Sequence, residues 1–163
     1  MPSVLFVCTA NRFRSPLAAA FLGKVLEEND VAASWVVGSA GTWAEPGQPV
    51  IPAVFAVAQK FGLDLTRHRA TRVSGPLLSE YDIILVMQSG QKEALQSEFP
   101  SLYDRIYLLS NVVERRSYDI PDSSDSAQQV AEVGTELYEL IRRGWRNICV
   151  LTTASYNRRN RMK

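Results

Sequence analysis

The chain has 163 residues, 46% of them hydrophobic and 21% charged, which suits one domain with a sizeable core and excludes a disordered or fibrous chain. Mean hydropathy is −0.09, and no apolar run approaches the roughly 20 residues of a membrane span. Net charge is only +1 but uneven: after Ile141 there is no acid, while Arg142, Arg143, Arg146, Arg158, Arg159, Arg161 and Lys163 are all basic. Such an end can touch nucleic acid, anionic lipid or an acidic partner. The plainer reading is a single domain over residues 1–155 with a loose basic tail at 156–163. The acidic body argues against a dedicated nucleic-acid binder. Two cysteines, Cys8 and Cys149, make neither a disulfide framework nor a zinc quartet. With no secretory signal, they point to a cytoplasmic protein without a structural metal.

Ser3–Cys8 is a short run rich in Val and Phe and reads as a buried strand. A helix is predicted from Pro16 through Asn29, with Leu17, Ala20, Phe21, Val25 and Leu26 on its apolar stripe, Ser15 as N-cap and Pro16 as first helical residue. A second strand is expected at Ser34–Ser39, then a Gly/Pro-rich loop, Gly41–Pro52, and a helix over Ala53–Phe61. A polar segment with His68 precedes a third buried strand at Tyr81–Met87, a helix at Ser89–Glu98 and a strand at Arg105–Leu108. Ser110–Asp125 reads as an acidic, turn-rich loop, Ser126–Arg143 as a helix and Asn147–Thr152 as an added edge strand. Strands alternating with helices imply right-handed βαβ units, hence an α/β domain on a parallel sheet. Such sheets bind ligands beyond the carboxyl ends of their strands.

At that end of the first strand stands Cys8-Thr9-Ala10-Asn11-Arg12-Phe13-Arg14-Ser15, a C-x5-R-S pattern that opens into a helix. Five residues between thiol and guanidinium let the backbone curl around one tetrahedral anion, with amides inward and a helix N-terminus adding positive potential. Arg14 can grip two oxygens through its planar fork. The same field favours thiolate over thiol at Cys8, and the Ser15 hydroxyl can hydrogen-bond that sulfur or the transferred group. A thiolate in an anion cradle implies attack on phosphorus, a cysteinyl-phosphate and its hydrolysis. The alternative is that Cys8 is merely a buried strand cysteine.

These residues closely resemble the low-molecular-weight protein tyrosine phosphatase family, which opens on an apolar strand, C-x5-R-S-P and a helix. The likeness continues in Ser39-Ala40-Gly41-Thr42, in His68-Arg69-Ala70 and in Tyr81 to Met87, and covers roughly residues 3–143. It implies a three-layer αβα domain with a four-stranded parallel sheet in the order 2-1-3-4. It implies Cys8 as nucleophile and Arg14 as phosphate binder, in a phosphate-binding loop of Thr9, Ala10, Asn11, Arg12, Phe13, Arg14 and Ser15. Asn11 then holds the loop's left-handed turn, with Ser39 and His68 behind it, bonded to Asn11 and Ser15. On its residues alone, His68 leaves a second reading open, a surface histidine beside Arg67 and Arg69.

A phenolic leaving group departs more easily when protonated, so a carboxylic acid should face the thiolate across the phosphate. In Asp119-Ile120-Pro121-Asp122, which is similar to the Asp-Ile-x-Asp-Pro of many bacterial members of that family, the resemblance implies Asp122 in that role, with Asp119 the second choice. Asp119, Asp122 and Asp125 all read as turn or N-cap residues too, Asp125 best of the three. Trp43, on the loop after strand two, is expected to wall the pocket for a phenyl ring or else to pack on the sheet.

Several positions depart from the family pattern. Phe13 replaces a second cysteine beside the arginine, which removes that route to a protective disulfide, and Cys149 reads as a core residue of the last strand. Ser123 and Ser124 replace an expected proline and aromatic, and Ala10 a glycine. Arg12 replaces a smaller or apolar rim residue, where it attracts anionic substrates or pairs with a carboxylate. The expected function is metal-independent, cofactor-free hydrolysis of phosphotyrosine in proteins, with a bacterial tyrosine kinase as a candidate counterpart. Three alternatives stay open: a protein-arginine phosphatase, which Arg12 disfavours; an arsenate reductase, which needs more relay thiols than Cys149; and a phosphate-binding regulatory module with weak catalysis.

Overall fold

Four short strands, β1 (Ser3–Cys8), β2 (Val36–Gly41), β3 (Ile83–Val86) and β4 (Ile106–Leu108), form one sheet in the order β2-β1-β3-β4 in a computed structural model describing residues 1–163. All pairings are parallel. β1 is central, with Val7 opposite Ala40 of β2 on one side and Val86 of β3 on the other. Every β1 residue is buried, as a strand covered on both faces requires. Six helices flank the sheet: α1 (Arg14–Glu28), α2 (Pro52–Lys60), α3 (Gly75–Glu80), α4 (Ser89–Glu98), α5 (Leu109–Glu114) and α6 (Ala127–Arg161). Because successive strand side chains point to opposite faces, Val4, Phe6 and Cys8 pack into a core with Leu17, Val54, Val113 and Leu137 of α1, α2, α5 and α6. Leu5 and Val7 pack on the other face with Leu78 of α3 and Leu95 of α4.

β2 lies two residues later than the strand expected at Ser34–Ser39, and α1 begins at Arg14, so Ser15 is inside the helix rather than its N-cap. Phe13 occupies the N-cap position and makes no side-chain cap bond. The structure adds two six-residue helices, α3 and α5, each too short to show helical periodicity in the sequence. Ser126, rather than Asp125, caps α6, its Oγ accepting from the Gln129 amide at 3.1 Å.

The largest correction concerns the C-terminal segment. Asn147–Thr152, expected as an edge strand, is part of α6, which runs unbroken for 35 residues. Its β-branched residues suggest a strand, but Ile148, Thr152 and Ser155 are buried together at helical spacing, and Thr152 Oγ1 donates to the Ile148 carbonyl at 2.6 Å. The segment expected as a loose tail continues this helix to Arg161. Ser155 Oγ donates to the Asp82 carbonyl at 2.7 Å, and Arg159 Nη1 reaches the Asp82 carboxylate at 2.6 Å. That carboxylate also accepts from the amide and hydroxyl of Ser3. A buried charge needs such partners, so these contacts tie the C-terminal end of α6 to the amino ends of β1 and β3. No helix is long and apolar enough to cross a membrane.

Candidate active site

β1 ends at Cys8 and α1 starts at Arg14, so Thr9–Phe13 form the turn between them at the carboxyl end of the central strand. The loop's carbonyls are engaged from outside. Thr42 and Trp43 amides donate to the Cys8 and Thr9 carbonyls, both at 2.9 Å, and the Ile51 amide to that of Arg12 at 3.0 Å. The Asn11 carbonyl lies 2.7 Å from His68 Nε2; a carbonyl can only accept, so that nitrogen carries the proton. In these four planar peptides the oxygen points outward, so the amide of the following residue turns inward. Because no side chain caps α1, its first amides remain donors for an oxyanion.

Asn11 is buried with φ of 57°, a left-handed conformation that Asn tolerates. Its Nδ2 donates to Ser15 Oγ at 2.8 Å and Ser39 Oγ at 2.9 Å, and its Oδ1 accepts from the Thr71 amide at 2.8 Å. Ser15 Oγ lies 2.9 Å from Cys8 Sγ and 3.2 Å from the Ala40 carbonyl. The structure therefore gathers Asn11, Ser15, Ser39 and His68 behind the loop, with one hydroxyl held against the sulfur.

Arg14 is 1% exposed. Its Nη1 donates to the Ile120 carbonyl at 2.8 Å and its Nη2 lies 3.5 Å from Asp122 Oδ2 and 3.4 Å from Thr9 Oγ1. Its buried Nε has no partner within the protein, an arrangement that suits a guanidinium holding an anion. Cys8, Ala10, Arg12, Phe13, Arg14 and Asp122 border a single pocket of about 110 Å³, room for a tetrahedral oxyanion. Asp122 is half-exposed at its mouth. Asp119 is placed elsewhere: its Oδ1 accepts from the amide of Ser89, the first residue of α4, at 2.8 Å. Arg12 lies on the pocket rim, its Nε donating to the Pro49 carbonyl at 2.8 Å, with no carboxylate paired to it.

Trp43 is 75% exposed, so it does not pack on the sheet. It borders a neighbouring groove of about 340 Å³ that shares Thr9 with the loop and includes Asp119, and the Arg72 guanidinium lies 5.4 Å from its ring centroid. Cys149 sits on α6, where burial pushes its thiol up to about 11, and it does not border the pocket.

Two supporting residues escaped the sequence reading. Gln91 accepts the Met87 and Gln88 amides with Oε1, both at 3.0 Å, and donates from Nε2 to Thr9 Oγ1 at 3.1 Å, linking α4 to the loop. Gly41 ends β2, where a Cβ would lie 2.5 Å from the Thr9 carbonyl and 2.8 Å from the Asn11 amide. Gly41 lies within Ser39-Ala40-Gly41-Thr42 but carries no local sign of this approach, and nothing in the sequence ties Gln91 to Thr9, since the two meet only through the β1–β3 pairing.

The family model for low molecular weight phosphotyrosine protein phosphatases matches residues 3–150. A Ralstonia nicotianae protein named "Probable low molecular weight protein-tyrosine-phosphatase EpsP" is 34% identical over 142 residues, 87% of this chain and 90% of the relative. The structure of the tyrosine phosphatase Wzb from Escherichia coli K30 in complex with sulphate is similar with a TM-score of 0.77 at 29% identity, over 87% of this chain and 94% of the other. The YwlE arginine phosphatase from Geobacillus stearothermophilus gives a TM-score of 0.79 at 30% identity, over 88% and 90%.

Proposed function

The chain belongs to the low molecular weight phosphotyrosine protein phosphatase family, and we propose that it hydrolyses phosphotyrosine in proteins through a phosphorylated Cys8. The observation that carries this reading is one small pocket bordered by Cys8, Arg14 and Asp122, with an Arg14 Nε that has no partner within the protein. Arg14 and the loop amides hold the phosphoryl oxygens while the Cys8 thiolate attacks phosphorus. The bond from phosphorus to the phenolic oxygen breaks, and protonated Asp122 gives that oxygen its proton. Asp122, now a carboxylate, takes a proton from a water that attacks the same phosphorus. The sulfur leaves as thiolate and orthophosphate is released. Ser15, 2.9 Å from Cys8 Sγ, stabilises the sulfur's negative charge at both ends of the cycle. A reducing, cytoplasmic setting is part of the reading, since Cys8 acts only as a free thiol. A tyrosine kinase that itself carries phosphotyrosine fits the proposed substrate class.

Arginine phosphatases are among the relatives, but the Arg12 guanidinium on the pocket rim repels the guanidino group of phosphoarginine and favours an anionic peptide instead. The test is phosphate release from phosphotyrosine, phosphoserine and phosphoarginine peptides of one sequence, with arsenate turnover measured alongside. We expect phosphotyrosine to exceed each other peptide at least tenfold in kcat/KM and Cys8→Ser to release nothing. Faster release from phosphoarginine, or turnover of arsenate with thioredoxin, overturns the substrate assignment. Tight vanadate binding without turnover of p-nitrophenyl phosphate makes the protein a phosphate-binding module instead.

A further inference from the structure

Beyond Gly144, α6 carries no acidic residue and has two distinct flanks. Ile148, Thr152 and Ser155 are buried against the sheet, whereas Val150, Leu151 and Ala154 form one side of a groove of about 620 Å³. Tyr107 of β4 and Val112 of α5 form the other side. Tyr107 also borders an adjoining hollow of about 410 Å³ that includes Lys92 and Arg158, so the two run together along β4, the edge strand of the sheet. Val150 is 72% exposed. Arg115 stands in the first hollow, Lys92 and Arg158 in the second, and none of the three is in an ion pair. Asp104 is the one carboxylate bordering either hollow.

We propose that this groove docks an acidic peptide segment of a partner protein. Its carboxylates meet Arg115 at one end and Lys92 and Arg158 at the other, while an aliphatic or aromatic side chain between them packs on Val112, Val150 and Leu151. Unpaired cations around an exposed apolar strip give this surface its complementarity. From Asn147 to Arg158 the helix rises about 16 Å, the reach of roughly five residues of extended chain. A trough walled by β4 and α5 accepts a chain more readily than a bilayer, which an amphipathic helix meets with a projecting apolar face. None of these residues borders the Cys8 pocket, so docking is separable from turnover and stands whether or not the phosphotyrosine reading holds.

The test is to select random 12-residue peptides displayed on phage against the full chain, then titrate the enriched sequences as fluorescein-labelled peptides by anisotropy. We expect carboxylates flanking an aliphatic or aromatic residue, with binding weakened at least tenfold by Val150→Asp and at least threefold by Arg115→Glu combined with Arg158→Glu. Turnover of p-nitrophenyl phosphate should be unchanged in these variants. All three positions are exposed, and thermal melts check that the variants fold; if Val150→Asp does not, the charge-reversed variant decides. The proposal is overturned by no enrichment, by neutral or basic enriched sequences, or by equal binding to the variants. It is also overturned if sedimentation shows that phosphatidylglycerol vesicles or a second copy of this chain bind in a manner that Val150→Asp abolishes.

Discussion

Asp122 Oδ2 lies 3.5 Å from Arg14 Nη2, so the half-exposed carboxyl is held beside the guanidinium that closes the Cys8 pocket. Asp119, three residues earlier, is occupied with the Ser89 amide. This separation of two neighbouring carboxyls predicts different losses. Asp122→Ala should lower kcat on phosphotyrosine peptides by about 10²-fold or more, and less on esters of more acidic phenols, which leave without a proton. Asp119→Ala should destabilise the fold by about 1 kcal/mol through the start of α4 and leave kcat within a few-fold. Steady-state kinetics and urea unfolding distinguish them, and the opposite pattern makes Asp119 the acid.

Gly41 marks where β2 presses against the loop. In Gly41→Ala the methyl group meets backbone atoms of Thr9 and Asn11, which cannot swing aside as a flexible side chain would. We expect a loss of roughly 1–3 kcal/mol in urea unfolding and at least tenfold weaker inhibition by vanadate. An alanine variant with normal vanadate affinity shows that the loop does not depend on this approach.

The two thiols should differ sharply in reactivity. Iodoacetate at pH 7 should label Cys8 first, and orthophosphate should protect it. Cys149, pushed up to about 11 by burial, stays protonated until the pH climbs toward that value. Its folded-state affinity for the proton exceeds that of an unfolded thiol, which titrates near about 8.5. The associated stability is therefore fully present below the unfolded value and is lost as the pH rises through the folded one. Peptide mapping by mass spectrometry after timed alkylation reads both sites, and Cys149 labelled as fast as Cys8 contradicts the assignment.

Arg159→Ala removes the ion-pair partner of Asp82, whose side chain is 3% exposed and whose carboxylate then keeps hydrogen bonds only from Ser3. Arg159 is itself partly exposed, so we expect a moderate loss of about 1.5–3 kcal/mol in urea unfolding, with kcat unchanged because the contact lies at the opposite end of the sheet from Cys8. An unchanged midpoint returns residues 156–161 to the status of a loose tail.

The sequence alone pointed to an α/β class with a parallel sheet and to an anion-binding loop, because those signals are written in local order, whereas the strand order followed from the family resemblance. An apolar run ending in Cys8, five residues, Arg14-Ser15-Pro16 and a helical stripe are contiguous, and each signal depends only on its neighbours in the chain. Tertiary structure decided what depends on residues brought together from far apart. Ile148 and Thr152 belong to a helix because the sheet buries one flank of it, whatever their β-branching suggests. Asp122 rather than Asp119 borders the pocket because the amide of Ser89 occupies Asp119. Thr71, Ile120 and Pro49 act through backbone groups, which every residue carries alike. Arg159 completes the fold through a carboxylate 77 residues away. Hydrogen bonds and packing are fixed by distance in space, and a linear pattern records that distance only for groups within a turn or two of one another.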